Sequence, residues 1–149
     1  MFGEPGRRLV RRELASNGDA LPWVDAAKFA ELCIERGLSD LAAARDEGGV
    51  SFFDRSVVDA LSALEHMGRP LPRRFAAAVA AVRYHETVFI TPPWEELFAN
   101  DAERRHSFTD ACAEYERLLP AYAARGYQTV LVPKAPTASR ADFVLAQMR

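Results

Sequence analysis

The sequence predicts an α/β layered domain, and three observations carry that expectation. Short apolar runs at Val50 to Phe53, Val88 to Thr91 and Thr129 to Val132 alternate with longer segments whose apolar residues recur at three-and-four spacing. Glycine and proline break the chain at most of the junctions, as at Gly48-Gly49, Pro92-Pro93 and Pro133. With 149 residues, of which 49% are hydrophobic, the chain suffices for one core and is short for two, so a single domain over residues 1–149 is expected.

At the amino end, Leu9, Val10 and Leu14 lie among Arg7, Arg8, Arg11 and Arg12 as a short helix that Asn17-Gly18 closes. Beyond the turn at Leu21-Pro22-Trp23, Asp25 can cap a long helix in which Ala26, Phe29, Ala30, Cys33, Ile34, Leu38 and Leu41 share one face. Gly37 weakens that helix without ending it. Gly48-Gly49 then release the chain into Val50 to Phe53, an apolar run too short for a helix and suited to a strand covered on both faces.

Val57, Val58, Leu61 and Leu64 form the stripe of the next helix, which Pro70 and Pro72 separate from an alanine-rich helix running from about Arg73 to Arg83. After the second strand, Phe108, Ala111, Cys112, Tyr115, Leu118, Leu119 and Tyr122 mark an amphipathic helix, with Gly126 placed to close it. The third strand ends at Pro133, and Ser139 can cap a last helix through Phe143, Val144 and Met148. Three strands are few for this many helices. The chain also starts on a helix, where a doubly wound domain ordinarily starts on a central strand and its phosphate-binding turn.

Composition narrows the function classes. A net charge of −2 with 27% charged residues argues against an electrostatically driven nucleic-acid binder. Cys33 and Cys112 are far apart and sit at apolar positions of helical patterns, which reads as buried reduced thiols and not as a disulfide framework or metal site. His66, His85 and His106 have no ligand spacing, and no G-x-S-x-G nucleophile motif occurs. No apolar stretch reaches the roughly 20 residues of a membrane span, and the first residues lack a signal-peptide core, so cytoplasmic residence is the expectation.

Ligands of parallel α/β sheets bind at the carboxyl ends of strands, which makes Asp54-Arg55 the first candidate site. A carboxylate there can hold Mg²⁺ directly or through water, and the neighbouring guanidinium can pair with phosphoryl oxygens. The alternative is that Asp54 merely caps the following helix and Arg55 makes a surface ion pair. Arg104 and Arg105, preceded by Glu103 and followed by His106, suit a lid over phosphate or, equally, a solvated helix start. Arg7 and Arg11, and Arg8 and Arg12, stack at i and i+4, an arrangement that either an anionic ligand or acids such as Glu4 and Glu13 would relieve. The usual companion of a strand-end acid in phosphate chemistry is a G-x-x-x-x-G-K-S/T loop, and none of the eight glycines supplies it.

In order along nearly the whole chain, Glu4-Pro5-Gly6-Arg7-Arg8, Leu21-Pro22-Trp23, Phe52-Phe53-Asp54-Arg55, Thr91-Pro92-Pro93-Trp94, Asp101-Ala102-Glu103-Arg104-Arg105-His106, Ala113-Glu114-Tyr115-Glu116 and Val132-Pro133-Lys134 resemble a bacterial family of AAA-domain predicted ATPases related to NadR-like nucleotide kinases. The resemblance implies a three-layer P-loop NTPase-like parallel sheet flanked by helices, of strand order 2-3-1-4-5. Its first strand and Walker A loop would precede Glu4 and are expected to be missing, as in an N-terminally truncated, incomplete domain. By the same resemblance Asp54 is the Walker-B-type acid that holds Mg²⁺ via water, and Arg55 is its phosphate-facing neighbour. Arg104 and Arg105 are then lid arginines, Lys134 belongs to the loop near the base, and Glu4 and Arg7 face the acceptor. Where the family tends to have glycine after the Asp-Arg pair, this chain has Ser56.

The function implied is binding of ATP or GTP with Mg²⁺ and transfer or hydrolysis of the terminal phosphate, impaired here without the loop that cradles the phosphates. The alternative is a non-catalytic binding or regulatory module that holds a phosphorylated or anionic partner on the same basic residues.

Overall fold

Residues 1–99, 101 and 105–148 are described by a computed structural model. In chain order the helices and strands are α1 (Pro5–Ser16), α2 (Ala26–Glu47), α3 (Val57–His66), α4 (Arg73–Ala80), β1 (Thr87–Ile90), α5 (Phe108–Ala123), β2 (Gln128–Leu131) and α6 (Thr137–Ala146), with a 3-10 turn at Glu95–Leu97. The chain is therefore α/β, with six helices and a two-stranded parallel sheet among the described residues. It divides into two compact units, Met1–Arg83 and Tyr84–Arg149. Among the described residues no helix is long and apolar enough to cross a membrane.

In the first unit α2 is the central element, packed by α1, α3 and α4. Proline at the start of α1 loses no helical hydrogen bond, and Asn17 ends the helix in the left-handed region at φ 52°. The Asp25 side chain accepts the Lys28 N–H at 2.9 Å and so starts α2 as its sequence position predicts. Leu9, Val10, Ile34, Val57 and Leu64 are almost wholly buried, and each such side chain stabilises the fold by about 1.5–3 kcal/mol.

The connection between α1 and α2 is tied down by Glu13, which is itself nearly buried. Its carboxylate accepts from the Ala20 N–H at 3.2 Å and from the Arg12 guanidinium at 2.9 Å. The hydrogen bond from Arg12, helped by the Ala20 N–H, holds this carboxyl below its ordinary range against the opposing effect of burial. Glu13 and Glu4, which lies 3.4 Å from Arg7, thus answer part of the charge of the arginine-rich helix.

At Gly37, α2 lies close against the start of α3. A Cβ built on it would stand 2.9 Å from Cγ2 of Val57, whose side chain is fully buried. The glycine that weakens α2 as a helix is therefore required by packing.

The second unit is built on the pairing of β1 with β2, in register from Thr87 opposite Gln128 to Ile90 opposite Leu131. α5 packs on β2, and its buried Tyr122 meets Tyr127 edge-on at 5.8 Å. The Tyr127 hydroxyl accepts the Tyr84 N–H at 3.4 Å. α5 begins with a capping box in which Ser107 and Asp110 exchange side-chain-to-backbone hydrogen bonds.

The structure differs from the sequence expectation at Val50 to Phe53. Only Phe53 pairs, in an isolated parallel bridge with Phe2, while Val50 is 71% exposed and Phe52 38% exposed. An apolar run becomes a strand only along the length over which a partner pairs with it, and here that length is one residue. The last helix likewise begins at Thr137 behind Pro136, ahead of the Ser139 expected to cap it. Proline fixes φ there without losing a helical donor.

Gly37→Ala should lower stability even though alanine favours helices by up to about 1 kcal/mol. The overpacking against Val57 should outweigh that gain at about 1–3 kcal/mol. Urea melts of Gly37→Ala, Val57→Ala and the double variant check this: the loss caused by Gly37→Ala should largely vanish when Val57 is alanine.

Candidate functional site

The site grows from the Phe2–Phe53 bridge. The Phe2 N–H donates to the Phe52 carbonyl at 2.8 Å, and the Asp54 N–H donates to the Phe2 carbonyl at 2.9 Å. The two phenyl rings stack at 5.0 Å and 10°. Because the pairing is parallel, both segments leave it at the same edge, one toward Glu4 and α1, the other toward Asp54, Arg55 and α3.

Glu4 occupies the N-cap position of α1 and pairs with Arg7 one turn on at 3.4 Å. Asp54 is exposed. It does not cap α3. That role belongs to Ser56, whose hydroxyl accepts the Val58 N–H at 3.0 Å, so the capping explanation of Asp54 falls away.

Arg55 stands in the left-handed region at φ 73°, a conformation that side chains with a Cβ adopt at a cost of roughly 1–2 kcal/mol. Its Nη1 donates to Oδ1 of Asp59 at 3.2 Å. Oδ2 of Asp59 accepts from the Ser56 N–H at 2.8 Å and from the Ser56 hydroxyl at 3.1 Å. Asp59 was not among the residues expected at the site. The spacing Ser56-x-x-Asp59 is a capping-box signature and would have found it.

Cys33 on α2 registers the charges around it. Burial pushes its thiol from 9.0 up to about 12; the carboxylate of Glu4 pushes the same way, Arg55 opposes, and Asp59 adds a smaller upward push. The Glu4–Arg7 and Arg55–Asp59 ion pairs thus follow the two members of the bridge, and Glu4, Arg55 and Asp59 each act on the Cys33 thiol.

Two other expected residues are described in the second unit. Lys134 is exposed just past the carboxyl end of β2, and Arg105 is exposed shortly before α5, both in the second unit. Arg104 lies outside the described residues. Among the described residues, no group of three or more His, Cys, Asp or Glu side chains is placed to hold a metal ion. What the first unit offers is an exposed carboxylate beside an anchored guanidinium, a pairing that can take a phosphoryl group with its associated cation but cannot cage a bare ion.

Compared with known proteins, the chain matches the family model described as AAA domain over residues 1–140. No curated protein and no solved structure matches it.

With a thiol pushed to about 12, Cys33 should react with iodoacetamide at pH 8 at least about 100-fold more slowly in the folded than in the unfolded chain. The raised value also has a thermodynamic consequence. The folded state keeps the proton that the unfolded thiol gives up near 9.0, so stability falls from there until the folded thiol ionises near 12. Cys33→Ala should flatten that part of the alkaline stability profile, measured by urea unfolding between those limits.

Proposed function

The chain belongs to the AAA domain family, a family of nucleotide-binding P-loop proteins, and from that premise we propose that its bridge edge is the phosphate end of a nucleotide site. The observation that carries the proposal is the convergence, at one end of a parallel pair, of Asp54, Arg55, Glu4 and Arg7. In the reading we favour, the protein transfers or hydrolyses the terminal phosphate of ATP or GTP, in the manner of nucleotide kinases.

Two parallel pairings support an α/β reading of P-loop type, Phe2 with Phe53 in the first unit and β1 with β2 in the second.

The residues fit half of a Mg²⁺-phosphate site. Asp54 would hold the hydration shell of Mg²⁺, and the ion, when bound, neutralises charge on the phosphoryl oxygens. Arg55 would donate to those oxygens, with a planar fork that suits them better than a lysine would. Glu4 would accept a proton-bearing group of the acceptor, with Arg7 holding its carboxylate in place. The backbone N–H cradle and lysine of a G-x-x-x-x-G-K-S/T loop do not occur in these residues, so affinity and turnover should both be low.

That same absence favours a second reading, in which the chain holds a phosphorylated or anionic partner on these residues without chemistry.

Titration of ATP with the chain, followed by ³¹P NMR so that millimolar binding is visible, tests both. Perturbation of the phosphate resonances that Mg²⁺ strengthens is expected. Asp54→Ala should lower the Mg²⁺-dependent affinity about tenfold, the worth of one charge-assisted contact. Binding indifferent to Mg²⁺ and to Asp54→Ala, with no ADP formed, would favour the non-catalytic module. Unchanged resonances at millimolar protein would remove both.

A further inference from the structure

We propose that Asp59 is a positioning residue that holds the Arg55 guanidinium ready for the phosphoryl group, an inference that rests on the reading of Arg55 given above. The geometry is that of a shared anchor. Asp59 divides its carboxylate, with Oδ2 engaged by the N–H and hydroxyl of Ser56 and Oδ1 by Nη1 of Arg55. The cap fixes the plane of the carboxylate, and the carboxylate in turn fixes where the guanidinium lies.

The support under this anchor is buried. Asp59 sits in the first turn of α3 beside Val57 and Val58, whose side chains are 0% and 2% exposed. Arginine has a long stem with many rotamers, and a site that uses it benefits when that freedom is removed before the ligand arrives. Arg55 is restrained at both ends, by a left-handed backbone at φ 73° and by the contact from its head group to Asp59. The pair is partly screened, since the Arg55 side chain is 36% and that of Asp59 14% exposed. A contact of that kind orients the cation more than it stabilises the fold.

A helix cap alone would also explain the two bonds to Ser56, and the test must separate the roles. Asparagine at position 59 keeps an acceptor for the Ser56 N–H while removing the charge that holds Arg55. The affinity of the 149-residue chain for Mg²⁺-ATP is measured by ³¹P NMR in the unsubstituted chain, Asp59→Asn, Arg55→Ala and the double variant. Thermal melts confirm that each is folded.

Asp59→Asn is expected to weaken binding about fivefold, and to change nothing further once Arg55 is alanine, because its effect passes through the arginine. An Asp59→Glu chain should recover part of the loss. Equal weakening in both backgrounds would reduce Asp59 to a structural cap and overturn the inference. Tighter binding in Asp59→Asn would also overturn it, by showing that the carboxylate competes with the ligand for the guanidinium. Retained binding in Arg55→Ala removes Arg55 and Asp59 from the site while leaving nucleotide binding intact. Absence of binding by the unsubstituted chain would overturn the functional reading and this inference together.

Discussion

Two backbone hydrogen bonds made by Phe2 set the geometry of the first unit's charged edge. They hold residues 52 to 54 parallel to the amino end of the chain, so that the segments entering α1 and α3 leave side by side. A parallel pairing demands a crossover between its members, and here that crossover is α1 and the long α2. The stacked rings of Phe2 and Phe53 shield the pair on one face. With so short a ladder, the arrangement depends on the helices around it, and above all on the close approach of Gly37 to Val57 that sets α3 against α2.

Much of this was legible in the residues themselves. The helical spacing in Ala26 to Leu41, the Asp25 cap, the Asn17-Gly18 stop and the alternation of later strands and helices all appear in the fold, with β1 and β2 each beginning one residue earlier than the apolar pattern suggests. Hydrophobic periodicity and capping chemistry are local properties, and local properties survive folding. The extended length of Val50 to Phe53 was not legible, because strand formation belongs to the partner as much as to the run. Asp59 was missed for a related reason. Its weight comes from what it joins, Ser56 on one oxygen and Arg55 on the other, and the Ser56-x-x-Asp59 spacing signals only the first of these.

On the proposed reading, family membership and local geometry meet at Asp54 and Arg55. The AAA domain match covers residues 1–140 and points to the class of ligand, whereas the Phe2–Phe53 bridge determines which groups share an edge. The charges there are mutually compensating. Arg7 has Glu4 and Arg55 has Asp59, so the edge carries strong local dipoles with little net charge, in keeping with the −2 of the whole chain. Such an edge discriminates by geometry more than by long-range attraction. The depressed acidity of Cys33 is a by-product of this packing, since burial dominates it and the surrounding charges only adjust it.

The left-handed arginine has an evolutionary corollary. At φ 73° a glycine would relieve the backbone, and asparagine would tolerate it better than arginine does. Random substitution at position 55 therefore offers an easy gain in foldability at the expense of the guanidinium. If the proposed function holds, a lineage that ceased to use this edge would be free to take that gain, which would make the residue at this position a sensitive indicator of whether descendants of this sequence still recognise a phosphorylated molecule.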